Sequence, residues 1–167
     1  MHESLKLENQ LCFRLYTASR LITQAYYPLL SAIGLTYPQY LVMMVLWEQD
    51  GLPVNDIAKR LYLETNTVTP LLKRMEAEGF VSRSRSSADA RQVIVNLTPK
   101  GRELENRASC VPLHIGKAVM CQSLNAESAP ALFATLDDII STLSPVATAG
   151  PAGSVGFEAS AFPVDGK

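Results

Sequence analysis

Apolar residues recur at steps of three and four along the first part of the chain. Leu7, Leu11, Leu15, Ala18, Ile22, Ala25 and Leu29 form one stripe and predict a helix from Leu5 to about Leu30. Ser31-Ala-Ile-Gly34 interrupts it. Thr36 then serves as a cap and Pro38 suits a first helical turn. The next helix, Tyr37 to Trp47, is apolar on nearly every side and is expected to be central and buried. Asp50-Gly51 ends it.

A short helix follows from Val54 to Leu61, with Ile57, Ala58 and Leu61 on its buried edge. In the next segment Val68, Leu71, Leu72 and Met75 keep the i, i+3, i+4, i+7 spacing. That spacing turns one face to the core and frees Thr65, Asn66, Thr67, Thr69 and Lys73. Gly79 fits the left-handed residue past a helix end. The period then changes from helical to alternating. Phe80 to Arg85 and Gln92 to Leu97 read as strands around the loop Ser86-Ser-Ala-Asp-Ala90. Thr98-Pro99 starts a helix expected to reach about Gln122, perturbed near Pro112 and Gly116. A last helix spans Ala126 to about Leu143. From Ser144 onward Pro, Gly, Ala and Ser dominate, with three charged residues and no period, which reads as a flexible tail.

Two short helices followed by a hairpin make a winged helix-turn-helix, a DNA-reading module. The fold class is therefore mainly α with a small β-hairpin wing. Charge sharpens this. The net charge is −1 over 167 residues, which alone argues weakly against a nucleic-acid binder. Between Lys73 and Arg102, however, seven basic residues face three acidic ones, a local +4 that leaves −5 on the rest. The plainer reading of such a patch is a solvated surface.

A helix entering a major groove needs short polar side chains near its start and cations at its flank. Thr65, Asn66, Thr67 and Thr69 supply the first; Lys73 and Arg74 supply the second. Pro70 admits two starts. If the helix begins at Thr65, Pro70 removes one backbone bond. If it begins at Thr69, Pro70 is its first residue and the reading residues lie in the approach loop. The wing adds Arg83, Arg85 and Arg91. Asp89, two residues before Arg91, is placed to orient its guanidinium by a charge-assisted pair, and an arginine at a hairpin tip suits the minor groove.

No apolar run approaches the roughly 20 residues a bilayer needs. The charged start Met1-His-Glu-Ser-Leu-Lys-Leu-Glu shows no signal peptide, so a cytoplasmic location is expected. Cys12, Cys110 and Cys121 lack metal-ligand spacing, and no metal or cofactor is expected. Taken alone, Cys12 reads as a small hydrophobe and Tyr26, Tyr37 and Tyr40 as core or turn aromatics.

The hairpin Asp89-Ala90-Arg91 and the run Val93-Ile-Val-Asn-Leu-Thr-Pro-Lys-Gly101 resemble the MarR family of bacterial winged-helix repressors. Leu11-Cys12-Phe13-Arg-Leu-Tyr16, Gly34-Leu-Thr-Tyr37-Pro-Gln-Tyr40 through Trp47-Glu, and Leu61-Tyr-Leu-Glu through Arg74 look like its OhrR branch of organic-hydroperoxide sensors. The resemblance covers about Leu5 to Leu143. It implies a homodimer with dimerisation helices in 1–36 and 98–143, a DNA-binding region at 37–97, and the tail at 144–167 outside it. It further implies an inverted-repeat operator on double-stranded DNA, repression by reduced protein, and release when an organic hydroperoxide oxidises Cys12. Tyrosines matching Tyr26 and Tyr37 would reach that cysteine from the other subunit, and Tyr16, one turn after Cys12, is a third candidate. Family members are resolved either by a small thiol or by a second cysteine; Cys121, or else Cys110, is available here.

A thiol senses peroxide as thiolate. Glu8, Asn9, Leu15 and Tyr16 lie at i±3 and i±4 from Cys12, so no cation stands there. Apolar Leu11, Phe13 and Leu15 suit an organic peroxide. Two other readings stay open: a repressor of this fold switched by a phenolic ligand in the dimer cleft, and a thiol peroxidase. The latter lacks a threonine or arginine at helical spacing to activate Cys12, and no enzymatic activity is expected.

Overall fold

The structure, a computed structural model, describes residues 2–87 and 89–148. The expected tail falls mostly beyond them, in 149–167. The chain divides into two units, 1–119 and 120–167.

In the first unit, two 3-10 turns, Glu3–Leu5 and Leu7–Asn9, precede helix α1 (Leu11–Ser31). The helical stripe thus starts six residues later than expected from Leu5. Local bonds explain the turns: Asn9 Nδ2 donates to Glu3 O at 3.0 Å and Gln10 Nε2 to Ser4 O at 2.6 Å. Such side-chain bonds compete with helix. Helix α2 (Tyr37–Glu48) forms the centre, burying Gln39, Tyr40, Val42, Met43, Val45 and Leu46. Gln39 reaches back to its start, where its Oε1 accepts the Thr36 N–H at 2.8 Å.

Strand β1 (Leu52–Pro53) leads into α3 (Val54–Arg60), and α4 (Thr65–Ala77) follows. The hairpin is β2 (Val81–Arg85) and β3 (Val93–Leu97), paired antiparallel from Val81↔Leu97 to Arg85↔Val93. β1 adds to the other side of β3, with Leu52 opposite Val95, giving the order β1-β3-β2. Sequence patterning missed β1 because two residues carry no period, and its proline fits only an edge. Val68, Leu71, Leu72 and Met75 of α4 are all buried, as their spacing dictated.

The single helix expected after Thr98 is two: α5 (Pro99–Ala108) and α6 (Val111–Val119). The break falls at Ser109-Cys110, ahead of Pro112, which occupies the first turn of α6, where a missing N–H costs nothing. Thr98 Oγ1 accepts the Gly101 N–H at 3.0 Å and donates to Gly79 O at 2.7 Å. One hydroxyl thus caps α5 and ties it to the turn after α4.

The second unit holds α7 (Ala129–Thr148), which runs past the expected end at Leu143. It starts at Ala129, three residues after the expected Ala126; in the turn ahead of it Asn125 Oδ1 accepts the N–H groups of Glu127 and Ser128 at 2.9 and 3.1 Å. Leu132, Phe133, Ile140 and Leu143 of α7 are exposed.

Candidate functional site

The α4 helix begins at Thr65, with Glu64 as its N-cap residue, so Pro70 lies in its interior. The first of the two starts open from sequence is the one adopted. The missing N–H deprives the Asn66 carbonyl of its i+4 donor. Nearby, Thr69 Oγ1 donates to Thr65 O at 2.7 Å. The hydroxyl of Thr65 donates to Asn55 Oδ1 at 3.0 Å, fastening the start of α4 to the start of α3. Thr65, Asn66, Thr67, Lys73 and Arg74 are exposed and Thr69 is half-buried. A cleft of about 160 Å³ runs between this end of α4 and the hairpin. Thr65, Thr69, Arg83 and Arg91 line it, with Asn55 and Gln92. The sequence-predicted polar face of α4 and part of the wing therefore meet.

Two wing residues behave differently from their sequence reading. Arg83 is clamped by Glu76 of α4: Glu76 Oε2 accepts from Arg83 Nε at 2.9 Å and from its Nη2 at 2.7 Å, and Oε1 accepts the Arg83 N–H at 3.0 Å. The two guanidinium bonds to Oε2, with the backbone bond and the positive charge, hold the Glu76 carboxyl below its usual range against a smaller opposing effect of burial. Asp89 does not grip the Arg91 guanidinium as expected. Its Oδ1 accepts the Arg91 backbone N–H at 2.9 Å, which closes the turn and leaves the guanidinium exposed. Arg85 is exposed on β2.

Behind the hairpin, Asp50 is a hub that patterning did not mark beyond a helix end. Its carboxylate accepts the Leu97 N–H at 2.8 Å, the Gly51 N–H at 2.9 Å and Arg102 Nη2 at 2.7 Å. Burial pushes its pKa up, but these bonds and the Arg102 charge outweigh it, and the net direction is down. Sequence offered no signal, because the three partners lie up to 52 positions away.

The candidate sensor residues fall into two groups. Tyr26 of α1 and Tyr37 at the start of α2 pack as a tilted pair with ring centroids 4.9 Å apart. Tyr40 lies 5.9 Å from Tyr26, and Trp47 6.1 Å from Tyr40. Trp47 Nε1 donates to Gly101 O at 3.0 Å, linking this ladder to the start of α5. Burial, then the neighbouring Tyr37, raises the Tyr26 phenol, so it stays a proton donor near neutral pH. Cys12 and Tyr16 are exposed one turn apart near the other end of α1. Cys12 and Tyr26 are fourteen residues apart on one helix, about 21 Å along its axis. Within one chain they do not meet.

Cys110 is exposed in the turn between α5 and α6, and Cys121 is exposed in the second unit. Helix α1 shows an apolar surface: Leu11, Phe13, Leu15 and Tyr16 near Cys12, and Leu21, Ile22 and Tyr27 farther along, are all exposed, and only Leu30 of its 21 residues is buried. No group of three or more His, Cys, Asp or Glu residues placed to hold a metal occurs among the described residues, and none of their helices is long and apolar enough to cross a membrane.

A family model described as transcriptional regulator SarA/Rot matches residues 24–107. The organic hydroperoxide resistance transcriptional regulator of Bacillus subtilis (strain 168) is 47% identical over 110 residues, which are 66% of this chain and 75% of that one. Among solved structures, reduced AbfR bound to DNA is 36% identical with a TM-score of 0.70, covering 87% of this chain and 97% of that one. Disulfide-formed AbfR is 37% identical with a TM-score of 0.58, covering 84% and 94%. AbfR is a protein of Staphylococcus epidermidis.

Proposed function

The chain belongs to the MarR/SarA-type family of winged-helix transcriptional regulators, and on that premise we propose that it is a redox-sensing repressor. It binds an inverted-repeat operator as a reduced homodimer and releases it when an organic hydroperoxide oxidises Cys12. One observation carries the redox part. Cys12 is exposed on a helix whose apolar surface is almost wholly uncovered, and the tyrosine pair suited to serve it lies about 21 Å away in the same chain. A second subunit packed on α1 covers that surface and brings its own Tyr26 and Tyr37 to Cys12.

The chemistry follows from those groups. The Cys12 thiolate attacks the distal oxygen of the hydroperoxide. An S–O bond forms as the O–O bond breaks, and the alkoxide leaves and takes a proton as the alcohol. Phenol hydroxyls from the partner donate hydrogen bonds to the thiolate. Apolar Leu11, Phe13 and Leu15 favour an alkyl or aryl peroxide over hydrogen peroxide. A second thiol then attacks the sulfenic sulfur; an S–S bond forms and hydroxide leaves as water. Cys121 is the favoured resolving thiol, ahead of Cys110. The similar AbfR has been solved in a disulfide form.

On the DNA side, Asn66 and the threonines of α4 read base edges, Lys73, Arg74 and Arg85 hold phosphates, and Arg91 reaches the minor groove. The assembly is a binding switch rather than a catalyst, working in the cytoplasm.

The test is an electrophoretic shift on the promoter of its own gene with and without cumene hydroperoxide. Wild-type protein is expected to release the duplex. Cys12→Ser protein is expected to bind as tightly and stay bound. Release of Cys12→Ser at the wild-type dose would overturn the mechanism.

A further inference from the structure

The turn between α3 and α4 carries a residue that neither the core nor the sensor uses. The Leu63 N–H donates to Ala58 O at 3.0 Å and the Tyr62 N–H to Lys59 O at 3.2 Å. These are the paired bonds that close a helix C-terminus around a left-handed residue, a place glycine normally takes. Here Tyr62 takes it, with φ of 53°, whereas the other left-handed residues described are Gly34, Gly51 and Gly79. A tyrosine in this conformation is disfavoured, which singles its side chain out for a role. It is not useful to the core, because Tyr62 is 72% exposed. Nor does its hydroxyl have a hydrogen-bond partner among the described residues.

Position supplies the use. Tyr62 lies three residues before Thr65, so its Cα is within about 11 Å of the first residue of α4. In a helix-turn-helix the second helix enters the groove by its N-terminal residues while the first crosses the backbone. The turn between them sits at the groove's rim, beside phosphates. We infer that Tyr62 is a positioning residue for operator binding, its hydroxyl donating a hydrogen bond to a backbone phosphate at the edge of each half-site. This rests on the DNA-reading function proposed above. The phenol is uncharged, so the contact releases no counterion, and a phosphate contact carries no sequence information.

The experiment uses the full-length protein and a duplex that wild type selects from a random-sequence pool. Tyr62→Phe is expected to weaken binding about tenfold or more. The slope of affinity against salt, the selected sequence and the thermal midpoint should stay unchanged. Tyr62→Gly should show the same loss with a midpoint at or above wild type, since glycine adopts φ of 53° freely. Wild-type affinity in Tyr62→Phe would overturn the phosphate contact, including the case where only Tyr62→Gly binds weakly and the ring alone matters. A midpoint that falls together with affinity in Tyr62→Gly would make the residue structural and overturn it too. A wild-type protein that selects no duplex would instead overturn the DNA-reading function itself, and this inference with it.

Discussion

Asp50 shows how one carboxylate sets the geometry of a wing. It sits just past α2 yet accepts the backbone N–H of Leu97 at the end of β3 and the guanidinium of Arg102 in α5. Its folded pKa lies below the ordinary carboxylate value. The linkage sign follows: the unfolded chain binds the proton more readily, so the stabilisation is complete above the unfolded pKa and fades as pH falls through the folded one. Asp50→Asn is therefore expected to lower stability at pH 7 by on the order of 1 kcal/mol, a small figure because Arg102 is well exposed. That corresponds to a midpoint lower by about 3 °C. The acid limb below about pH 4 should flatten. Thermal melts across pH 2 to 7 check this, and parallel acid limbs for both proteins would refute it. At the same scale, Gly101 was legible only as a letter in a family motif. Its physical reason is that an added Cβ would stand 2.1 Å from the Phe80 carbonyl oxygen, a contact made between positions 21 apart in sequence.

Among the elements, those with a long period were readable. The stripe of α4 and the apolar body of α2 fell where spacing placed them, because burial on one face or all faces repeats every turn. What escaped had no period. β1 is two residues long, the start of α1 is set by side-chain bonds from Asn9 and Gln10, and the α5–α6 break depends on how Pro112 is accommodated. The wing divides in the same way. Its arginines look alike in sequence, yet Arg83 spends its guanidinium on Glu76 while Arg91 keeps its own exposed. Arg91, unlike Arg83, should therefore release counterions on binding DNA. Arg91→Ala is expected to reduce the slope of log affinity against log salt by about one per wing, with an unchanged midpoint. Arg83→Ala is expected to leave that slope alone and lower the thermal midpoint by a few degrees, because it strands Glu76. Affinity titrations from low to moderate salt separate the two, and an equal loss of slope in Arg83→Ala would return that residue to the DNA contacts.

For the whole molecule, the proposed mechanism divides the sensor between two chains. Sequence placed Cys12, Tyr26 and Tyr37 in one site only through family resemblance, since no spacing rule joins a residue near the start of a helix to one near its end. On the proposed mechanism, the helix itself supplies the physical reason for a second copy: fourteen residues of α1 hold Cys12 and Tyr26 about 21 Å apart. A site assembled between subunits makes a prediction that a site within one chain does not. Let Cys12→Ser protein be mixed with Tyr26→Phe protein and the subunits exchanged. In the mixed dimer, if sites form across the interface, the intact Cys12 of one chain meets the intact Tyr26 of the other, and one complete site is restored. If sites form within a chain, every site keeps a defect. Cys12→Ser homodimers should be inert to peroxide and Tyr26→Phe homodimers slow, since they lose a hydrogen bond to the thiolate worth roughly tenfold. The mixture should regain a fast phase of Cys12 sulfenic-acid formation, read by a dimedone-type probe, in proportion to the fraction of mixed dimer. A mixture that reacts only at the Tyr26→Phe rate, with exchange verified by mass, would sink the idea that the partner's tyrosine serves this cysteine.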